Sequence, residues 1–221
     1  MKLFSRRQAT PAKTAASEAV VWENSAYYED AENWTWLFWS EDHAFLPLFE
    51  QLNPRKIVEL ACGHGRHSEM ALARFGAQIE SLVGMDILRS NVEWCRRRLE
   101  AEAKAQFALN DGVSFQPLAD GSVTAIFCYD AMVHFHRSVI QSYLKDTRRL
   151  LASGGKGLFH HSNYDKDPDA PFGRNPHARA YMSAALFKAM AEDAGLEVLS
   201  QRVIAWGGSA DLDCLTMLCR P

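Results

Sequence analysis

The chain has 221 residues, 48% of them hydrophobic, and a formal net charge of −3. This length suits one domain with a sizeable buried core. The slight negative charge gives no general attraction for a polyanion, so we expect no nucleic-acid partner. No apolar run of the sequence approaches the roughly 20 residues that a membrane span requires, and we expect no membrane association.

The cysteines and the first residues indicate a reducing compartment. The five cysteines are odd in number and form no Cys-x-x-Cys pair, which is typical of reduced, mostly buried thiols. The segment from Met1 to Arg7 lacks the apolar core of a secretory signal. We therefore expect a cytoplasmic protein. Its oligomeric state stays open between monomer and homodimer.

The N-terminal part divides into a tail and an aromatic segment. Residues 1–19 show no apolar periodicity, which predicts a flexible tail ahead of a single domain formed by residues 20–221. In residues 20–52, which are crowded with aromatic side chains, we predict two helical pieces, Asp30 to Trp39 and Asp42 to Leu52, that form a lid. Two interpretations stay open, because the rings either pack the lid onto the domain or wall a ligand pocket. The first candidates for a pocket wall are Tyr27, Tyr28 and Trp39.

The chain then enters a strand, a tight turn and a helix. The strand runs from Lys56 to Leu60, the turn is Ala61-Cys62-Gly63-His64-Gly65, and helical spacing is established from Ser68. Gly63 and Gly65 lack a Cβ, so the backbone there takes conformations closed to other residues and comes close to a bound ligand. The first N–H groups of the helix point into the same space.

Two large groups of proteins share such a turn. The dinucleotide fingerprint of the nicotinamide-binding Rossmann domains requires a third glycine three residues after the second, and this chain has Ser68 there. The turn instead resembles the first motif of the class I methyltransferases, in which an acid precedes a Gly-x-Gly-x-Gly-like loop. Glu59 is the acid here, and Ala61 stands in place of the first glycine.

The next two strands also end in polar residues. The second strand, Ile79 to Asp86, ends in a carboxylate that can accept hydrogen bonds from both ribose hydroxyls of a nucleoside. Its alternative role is the N-cap of the helix from Ser90 to Ala103. The third strand, Gln106 to Leu109, leads into Asn110-Asp111-Gly112. The resemblance implies that Asp111 lies near the adenine amino group, although such residues also dominate turns.

The following stretch, from Gln116 to Phe135, also resembles the methyltransferases. It contains a Leu-Pro-like turn, an Asp-Gly-Ser, a buried fourth strand, and a histidine, His134, several residues beyond it. Thr124 replaces an aspartate that is usual in the family. A helix from Arg137 to Leu151 follows, and Ser153-Gly154-Gly155 is predicted to stop it before the fifth strand, Lys156 to His161.

The end of the chain indicates the fold class. After the irregular residues 162–182, predicted as a substrate-side loop, Ser183 caps a helix through Ala194. The last strands, Leu196 to Ala205 and Leu212 to Cys219, are linked too closely for a helix, so they must be antiparallel. The resemblance covers Lys56 to Pro221. It implies a three-layer α/β, Rossmann-like methyltransferase fold, with a seven-stranded, mostly parallel sheet and a C-terminal antiparallel hairpin.

The resemblance implies S-adenosyl-L-methionine as the cofactor, bound at the strand ends. Cofactor contacts are expected from Glu59, Ala61, Gly63, Gly65, Asp86, Asp111, Gly112, Tyr28 and Tyr129. Acceptor contacts are expected from Tyr27, Trp39, Tyr164, Arg174 and Arg179. Aromatic faces there can also attract the sulfonium cation. The two arginines either hold a carboxylate or phosphate in a bidentate manner or pair with Asp165, Asp167 and Asp169.

An acceptor alcohol or ammonium must lose a proton, which calls for a base that titrates near neutrality. The candidates are His134, His160 and His161, with Asp130 as orienter or alternative base. Alternation along the fifth strand places His160 and His161 on opposite sides of the sheet. We expect no metal, because Cys62-x-His64-x-x-His67 falls short of the about four ligands that zinc requires.

The sequence therefore predicts an S-adenosylmethionine-dependent methyltransferase that acts on a small molecule by in-line displacement. The acceptor could be a sugar, a glycan end or another metabolite, since the Asp-Pro-Pro-Tyr motif of many nucleic-acid amino-methyltransferases is absent. One alternative is a Rossmann-type NAD(P) oxidoreductase, which Ser68 and the terminal hairpin oppose. The other is a non-catalytic binding protein that retains the methyltransferase fold.

Overall fold

The computed structural model describes residues 9–221, which form one mixed sheet between two layers of helices. Within that range seven strands lie in the order β3-β2-β1-β4-β5-β7-β6. They are β1 (Lys56–Leu60), β2 (Ser81–Asp86), β3 (Ala105–Leu109), β4 (Val123–Cys128), β5 (Leu151–Ser162), β6 (Glu197–Trp206) and β7 (Ser209–Cys219). Strands β1 to β5 pair in parallel, whereas β7 is antiparallel to both β5 and β6. The predicted fold class, including the terminal hairpin, is confirmed.

Helices cover both faces of the sheet. They are α1 (Pro11–Ala19), α2 (Tyr27–Glu32), α3 (Thr35–Phe38), α4 (Phe45–Phe49), α5 (Arg66–Phe75), α6 (Arg89–Arg98), α7 (Arg137–Leu150) and α8 (Ala184–Asp193). One apolar core includes Phe45 of α4 and Ala71 of α5, and a second includes Ile140 of α7 and Phe187 of α8. Because both faces of the central strands are buried, β1 and β4 have nearly continuous apolar sequences.

The prediction of a flexible tail through Ala19 is wrong for residues 11–19, which form α1. Thr10 caps this helix by accepting the Lys13 N–H, and Pro11 occupies its first turn, where its missing N–H costs nothing. Ala15 and Ala19 are buried, and α1 packs against α7. Residues 1–8 of the predicted tail lie outside the described range. The apolar face of α1 consists of alanines, which give too little contrast for a periodicity signal.

The lid helices are shorter than predicted. Instead of two long pieces, residues 20–52 form α2, α3 and α4, joined by turns. Pro47 is the third residue of the five-residue α4 and so lies in the first helical turn, where proline is tolerated. The glycine stop predicted at residues 153–155 is also wrong, because β5 begins directly at Leu151, with an irregular register against β4.

Candidate active site

A cleft opens at the carboxyl ends of β1, β2 and β4, where the strand order reverses between β1 and β4. Ligands of open parallel sheets bind at such a point. The cleft is lined by apolar and aromatic side chains with a few polar groups between them, which is typical of small-molecule sites. Its polar groups form two clusters, which we name after their central carboxylates. The Asp86 cluster comprises Tyr28, Gly63, Asp86 and Asn91, and the Asp130 cluster comprises Trp22, Tyr27, Arg66, Asp130 and His134.

The turn after β1 forms one wall of the cleft. Ala61, Gly63 and Gly65 have φ angles of 56°, 53° and 82°, a region that residues with a Cβ rarely adopt. A Cβ on residue 63 would also lie 2.9 Å from the Tyr28 ring. The glycine is therefore required twice, for the backbone conformation and for the space that Tyr28 fills.

Asp86 faces this turn from the end of β2. Its Oδ2 accepts the Gly63 N–H at 2.9 Å, and its Oδ1 accepts the Leu88 N–H at 2.8 Å and the Asn91 side-chain N–H at 3.2 Å. Burial raises the pKa of Asp86 to about 6, against the lowering effect of these hydrogen bonds. A carboxylate has about four lone-pair positions, so Oδ2 keeps acceptor capacity for a ligand hydroxyl.

Tyr28 covers the Asp86 cluster. Its hydroxyl accepts a hydrogen bond from Asn91 at 2.9 Å, and its ring stacks on His64, which in turn stacks on Trp94, with centroid distances of 4.3 Å in both pairs. The α2 segment thus contacts both the glycine turn and α6. Tyr28 lines the cleft.

Three predicted cofactor contacts, Glu59, Gly65 and Asp111, do not line the cleft. Glu59 is fully buried in β1, accepts a hydrogen bond from the Ser68 hydroxyl, and has its pKa raised to about 8 by burial. Asp111 is exposed and accepts hydrogen bonds from the N–H groups of Val113 and Ser114. The side chain that lines the cleft there is Asn110, together with Gly112. Asn110 was not singled out from the sequence, although it directly precedes Asp111.

The Asp130 cluster lies beyond the end of β4. Asp130 has a φ of 57°, and its Oδ2 accepts hydrogen bonds from the Tyr27 hydroxyl and, at 2.6 Å, from the Arg66 guanidinium. Arg66 also donates to the Ala31 carbonyl and the Thr35 hydroxyl. These contacts tie α2 and α3 to the sheet, and they neutralise the buried arginine.

The partners of His134 leave a lone pair in the cleft. His134 Nδ1 lies 2.9 Å from the Ala178 carbonyl oxygen, which only accepts hydrogen bonds, so Nδ1 carries the proton. The unprotonated Nε2 is then available as an acceptor. Burial lowers the pKa of His134 to about 4, so the ring is neutral at pH 7. The Trp22 ring lies 4.7 Å from it, centroid to centroid.

The other two histidine candidates have both ring nitrogens occupied. His160 Nδ1 accepts the Asp130 backbone N–H at 3.0 Å, and Nε2 pairs with Asp213 at 3.0 Å. His161 contacts the Ser162 carbonyl and the Thr216 hydroxyl, both at 2.8 Å. The two side chains face opposite sides of the sheet, because His160 stacks on Tyr129 and His161 stacks on Phe187 of α8. His161 therefore does not reach the cleft.

The predicted acceptor contacts separate into two groups. Tyr27 lines the cleft, as does Tyr129, a predicted cofactor contact. Trp39, Tyr164, Arg174 and Arg179 do not line it. Trp39 is a core residue. Arg179 is buried and bonds Asp213 through Nε at 2.8 Å and Nη2 at 2.5 Å, so it does not pair with Asp165, Asp167 or Asp169. Burial raises the pKa of Asp213, but hydrogen bonds from His160 and Arg179 outweigh it and hold that pKa at about 2.

His67 is a cleft residue that the sequence analysis weighed only as a metal ligand. It lies in the first turn of α5 and lines the cleft, and the Trp39 indole N–H donates to its Nδ1 at 3.0 Å. Across residues 9–221, no group of three or more His, Cys, Asp or Glu side chains is placed to hold a metal ion. In the same range, no helix is both long and apolar enough to cross a membrane.

Comparison with known families agrees with this geometry. Residues 57–155, from β1 into β5, match the family model described as a methyltransferase domain. Residues 57–155 are thus similar to a methyltransferase domain. A search of curated proteins gave no significant match.

Solved structures share the fold of this chain at low sequence identity. A candidate methyltransferase of Haloferax volcanii, in complex with the Trm112 methyltransferase activator, has a TM-score of 0.65 and 18% identity over 86% of this chain and 97% of that one. Geranyl diphosphate C-methyltransferase from Streptomyces coelicolor has a TM-score of 0.64 and 15% identity, over 80% and 76%. A candidate sarcosine dimethylglycine methyltransferase from Galdieria sulphuraria has a TM-score of 0.65 and 11% identity, over 86% and 85%.

The cofactor of such domains is S-adenosylmethionine, and the Asp86 cluster fits its nucleoside part. Asp86 Oδ2 is a carboxylate acceptor with spare capacity beside a backbone turn that lacks a side chain at Gly63. Ile87, Ala15 and Val139 give the neighbouring wall an apolar character, which suits a planar base. The residues of the cleft therefore fit the group.

Proposed function

We propose that this protein transfers a methyl group from S-adenosylmethionine to a small-molecule acceptor. The observation that supports the proposal best is that one cleft holds both a carboxylate with spare acceptor capacity, Asp86, and a histidine with an available lone pair, His134. The first suits a ribose, and the second suits proton removal from an acceptor. When bound, S-adenosylmethionine supplies an electrophilic methyl group on a sulfonium centre.

The chain's own residues would divide the work between the two clusters. Asp86 would accept the ribose hydroxyls, and the turn around Gly63 would let the ligand approach the backbone. In the Asp130 cluster, His134 Nε2 would accept the proton that the nucleophile loses. Holding the nucleophile in line is worth a large part of the rate in such reactions, and the aromatic rings of Trp22 and Tyr27 would restrict its position.

Titration calorimetry with S-adenosylmethionine, S-adenosylhomocysteine and NADH tests the cofactor. We expect the first two to bind and NADH not to. Asp86→Asn should weaken S-adenosylhomocysteine binding about tenfold or more, since a hydrogen bond to a charged group is worth about 1.5–3 kcal/mol. The matched control is Asp111→Asn, the same chemical change at the end of the neighbouring strand but outside the cleft. Equal losses in both variants, or preferential NADH binding, would contradict the proposal.

Activity separates an enzyme from a binding protein that keeps the fold. Transfer of a labelled methyl group to a metabolite panel should be detectable for the wild type and reduced for His134→Gln. If S-adenosylhomocysteine binds and no acceptor is methylated by the wild type, the non-catalytic alternative is preferred.

A further inference from the structure

Two buried polar atoms of the cleft residues have no hydrogen-bond partner. Among residues 9–221, neither His67 Nε2 nor Asp130 Oδ1 meets a donor or acceptor. Both residues line the cleft, and they are only 3% and 6% exposed. Unpaired buried polar groups are rare in native proteins, and a bound ligand is one recognised reason for them.

The two atoms have opposite hydrogen-bonding character. The Trp39 indole can only donate, so His67 Nδ1 is the acceptor in their 3.0 Å hydrogen bond and the ring proton lies on Nε2. Burial holds the pKa of His67 well below its usual range, so this tautomer is neutral. Asp130 is paired with Arg66 at 2.6 Å, and its Oδ1 is a carboxylate acceptor. The residues that line the cleft thus include one buried, unpaired donor and one buried, unpaired acceptor.

Charged ligand groups suit this pair poorly. A carboxylate or phosphate would meet the negative Asp130 oxygen, and an ammonium would meet the His67 N–H and the nearby Arg66 guanidinium. Arg66 and Arg179 are already neutralised by Asp130 and Asp213, so neither offers a free cation for an anion. A hydroxyl both donates and accepts a hydrogen bond, and it suits both atoms.

We propose that the Asp130 cluster, extended by His67, binds the hydroxyl groups of an uncharged, polyhydroxylated acceptor of the sugar class. His67 Nε2–H is the donor to one ligand oxygen, and Asp130 Oδ1 accepts a ligand O–H beside the lone pair of His134. Trp22 lies 5.8 Å from Tyr27 and 4.7 Å from His134, centroid to centroid, so an aromatic surface adjoins the polar pair and suits the apolar face of a sugar ring. This inference rests on the proposed methyl transfer and names its acceptor class.

Equilibrium binding tests the proposal without requiring turnover. The probes are the methyl glycosides of glucose, galactose and mannose, each with its uronate and 2-amino counterparts, titrated into protein with and without saturating S-adenosylhomocysteine. We expect at least one neutral glycoside to bind about tenfold or more tightly than both of its charged counterparts, because a site built to hydrogen-bond a hydroxyl discriminates strongly. In 15N-histidine-labelled protein, that glycoside should shift the His67 Nε2 signal.

His67→Gln should weaken glycoside binding about tenfold or more, and it should leave S-adenosylhomocysteine affinity within a few fold. The matched control is His161→Gln, an equally buried histidine on the opposite face of the sheet, which should change neither. Tighter binding of the uronates or amines, or no neutral glycoside binding with an unmoved His67 signal, overturns the inference. If the His67→Gln variant does not fold, the inference is tested by the wild-type glycoside titrations and the wild-type 15N-histidine signals alone. If S-adenosylhomocysteine does not bind, the proposed methyl transfer is contradicted instead. The glycoside titrations carried out without S-adenosylhomocysteine still test the acceptor class.

Discussion

His160 accepts the backbone N–H of Asp130 through its Nδ1, at 3.0 Å. Its Nε2 pairs with Asp213, which also holds Arg179, so a fully buried network supports the loop after β4. Asp130 has a positive φ there, a conformation that persists only where the surroundings enforce it. His160 is therefore a positioning residue for the Asp130 cluster, and its ring has no free lone pair for a proton.

We expect His160→Ala to destabilise the protein by about 1–3 kcal/mol, because it leaves the Asp130 N–H buried without an acceptor. Methyl transfer should fall, but the pH dependence of kcat should keep its shape, since the proposed base, His134, is unchanged. His160→Asn places an amide oxygen near the former Nδ1 and should restore part of the stability. Urea denaturation and kcat against pH check both variants. Equal stability of the Ala and Asn variants would argue against the hydrogen bond to Asp130.

His134→Gln removes the proposed base and should lower kcat about 10²–10⁴-fold, the usual contribution of general base catalysis. The base acts when it is deprotonated, and burial lowers the pKa of His134 to about 4. Wild-type activity should therefore rise with pH through about 4 and stay level across the neutral range. His161→Gln, on the far face of the sheet, serves as the control and should retain kcat. A profile for His134→Gln that still rises near pH 4 would assign the titration to another group.

The sheet and the glycine turn could be predicted from the sequence because both depend on local patterns. Each of these patterns can be recognised within a few residues. They are the apolar runs of strand length, the small residues after β1, and the link before β7, which is too short for a helix. The class I methyltransferase fold follows from their order. The predicted strands β1, β2 and β3 accordingly agree with the observed ones to within about two residues at each end.

The roles of the histidines depend on contacts between distant residues, which no local pattern records. Trp39 determines which ring nitrogen of His67 carries the proton, and Asp213 pairs with Nε2 of His160. In both pairs the two residues are far apart in the chain. Alternation along β5 did predict that His160 and His161 face opposite sides. At the end of β3 the sequence analysis expected Asp111 to contact the ligand. The turn instead directs Asp111 to solvent and the preceding residue, Asn110, into the cleft.

Removal of residues 1–19 should impair ligand binding, because α1 is part of the cleft. Ala15, Glu18 and Ala19 line it, and Ala15 belongs to the apolar core that contains Ile140 of α7. We expect S-adenosylhomocysteine affinity to fall about tenfold or more, since the lost wall no longer excludes water from the ligand. Removal of residues 1–8 alone is the control and should leave α1 and the affinity intact. Equal affinities of the two truncated proteins would contradict a role for α1.

Glu59→Gln should change how stability depends on pH while preserving the fold. Burial raises the pKa of Glu59 from 4.5 to about 8, so between these values the folded state holds a proton that the unfolded state has released. Wild-type stability should then decrease as pH rises through this window, by up to about 1.4 kcal/mol per pH unit. Glutamine keeps the shape and the acceptor for the Ser68 hydroxyl but does not titrate, so this component of the slope should vanish. Urea unfolding of both proteins from pH 5 to 8 measures how the free energy of unfolding depends on pH. Parallel pH dependences for the wild type and Glu59→Gln would show that Glu59 is already ionised in the folded state.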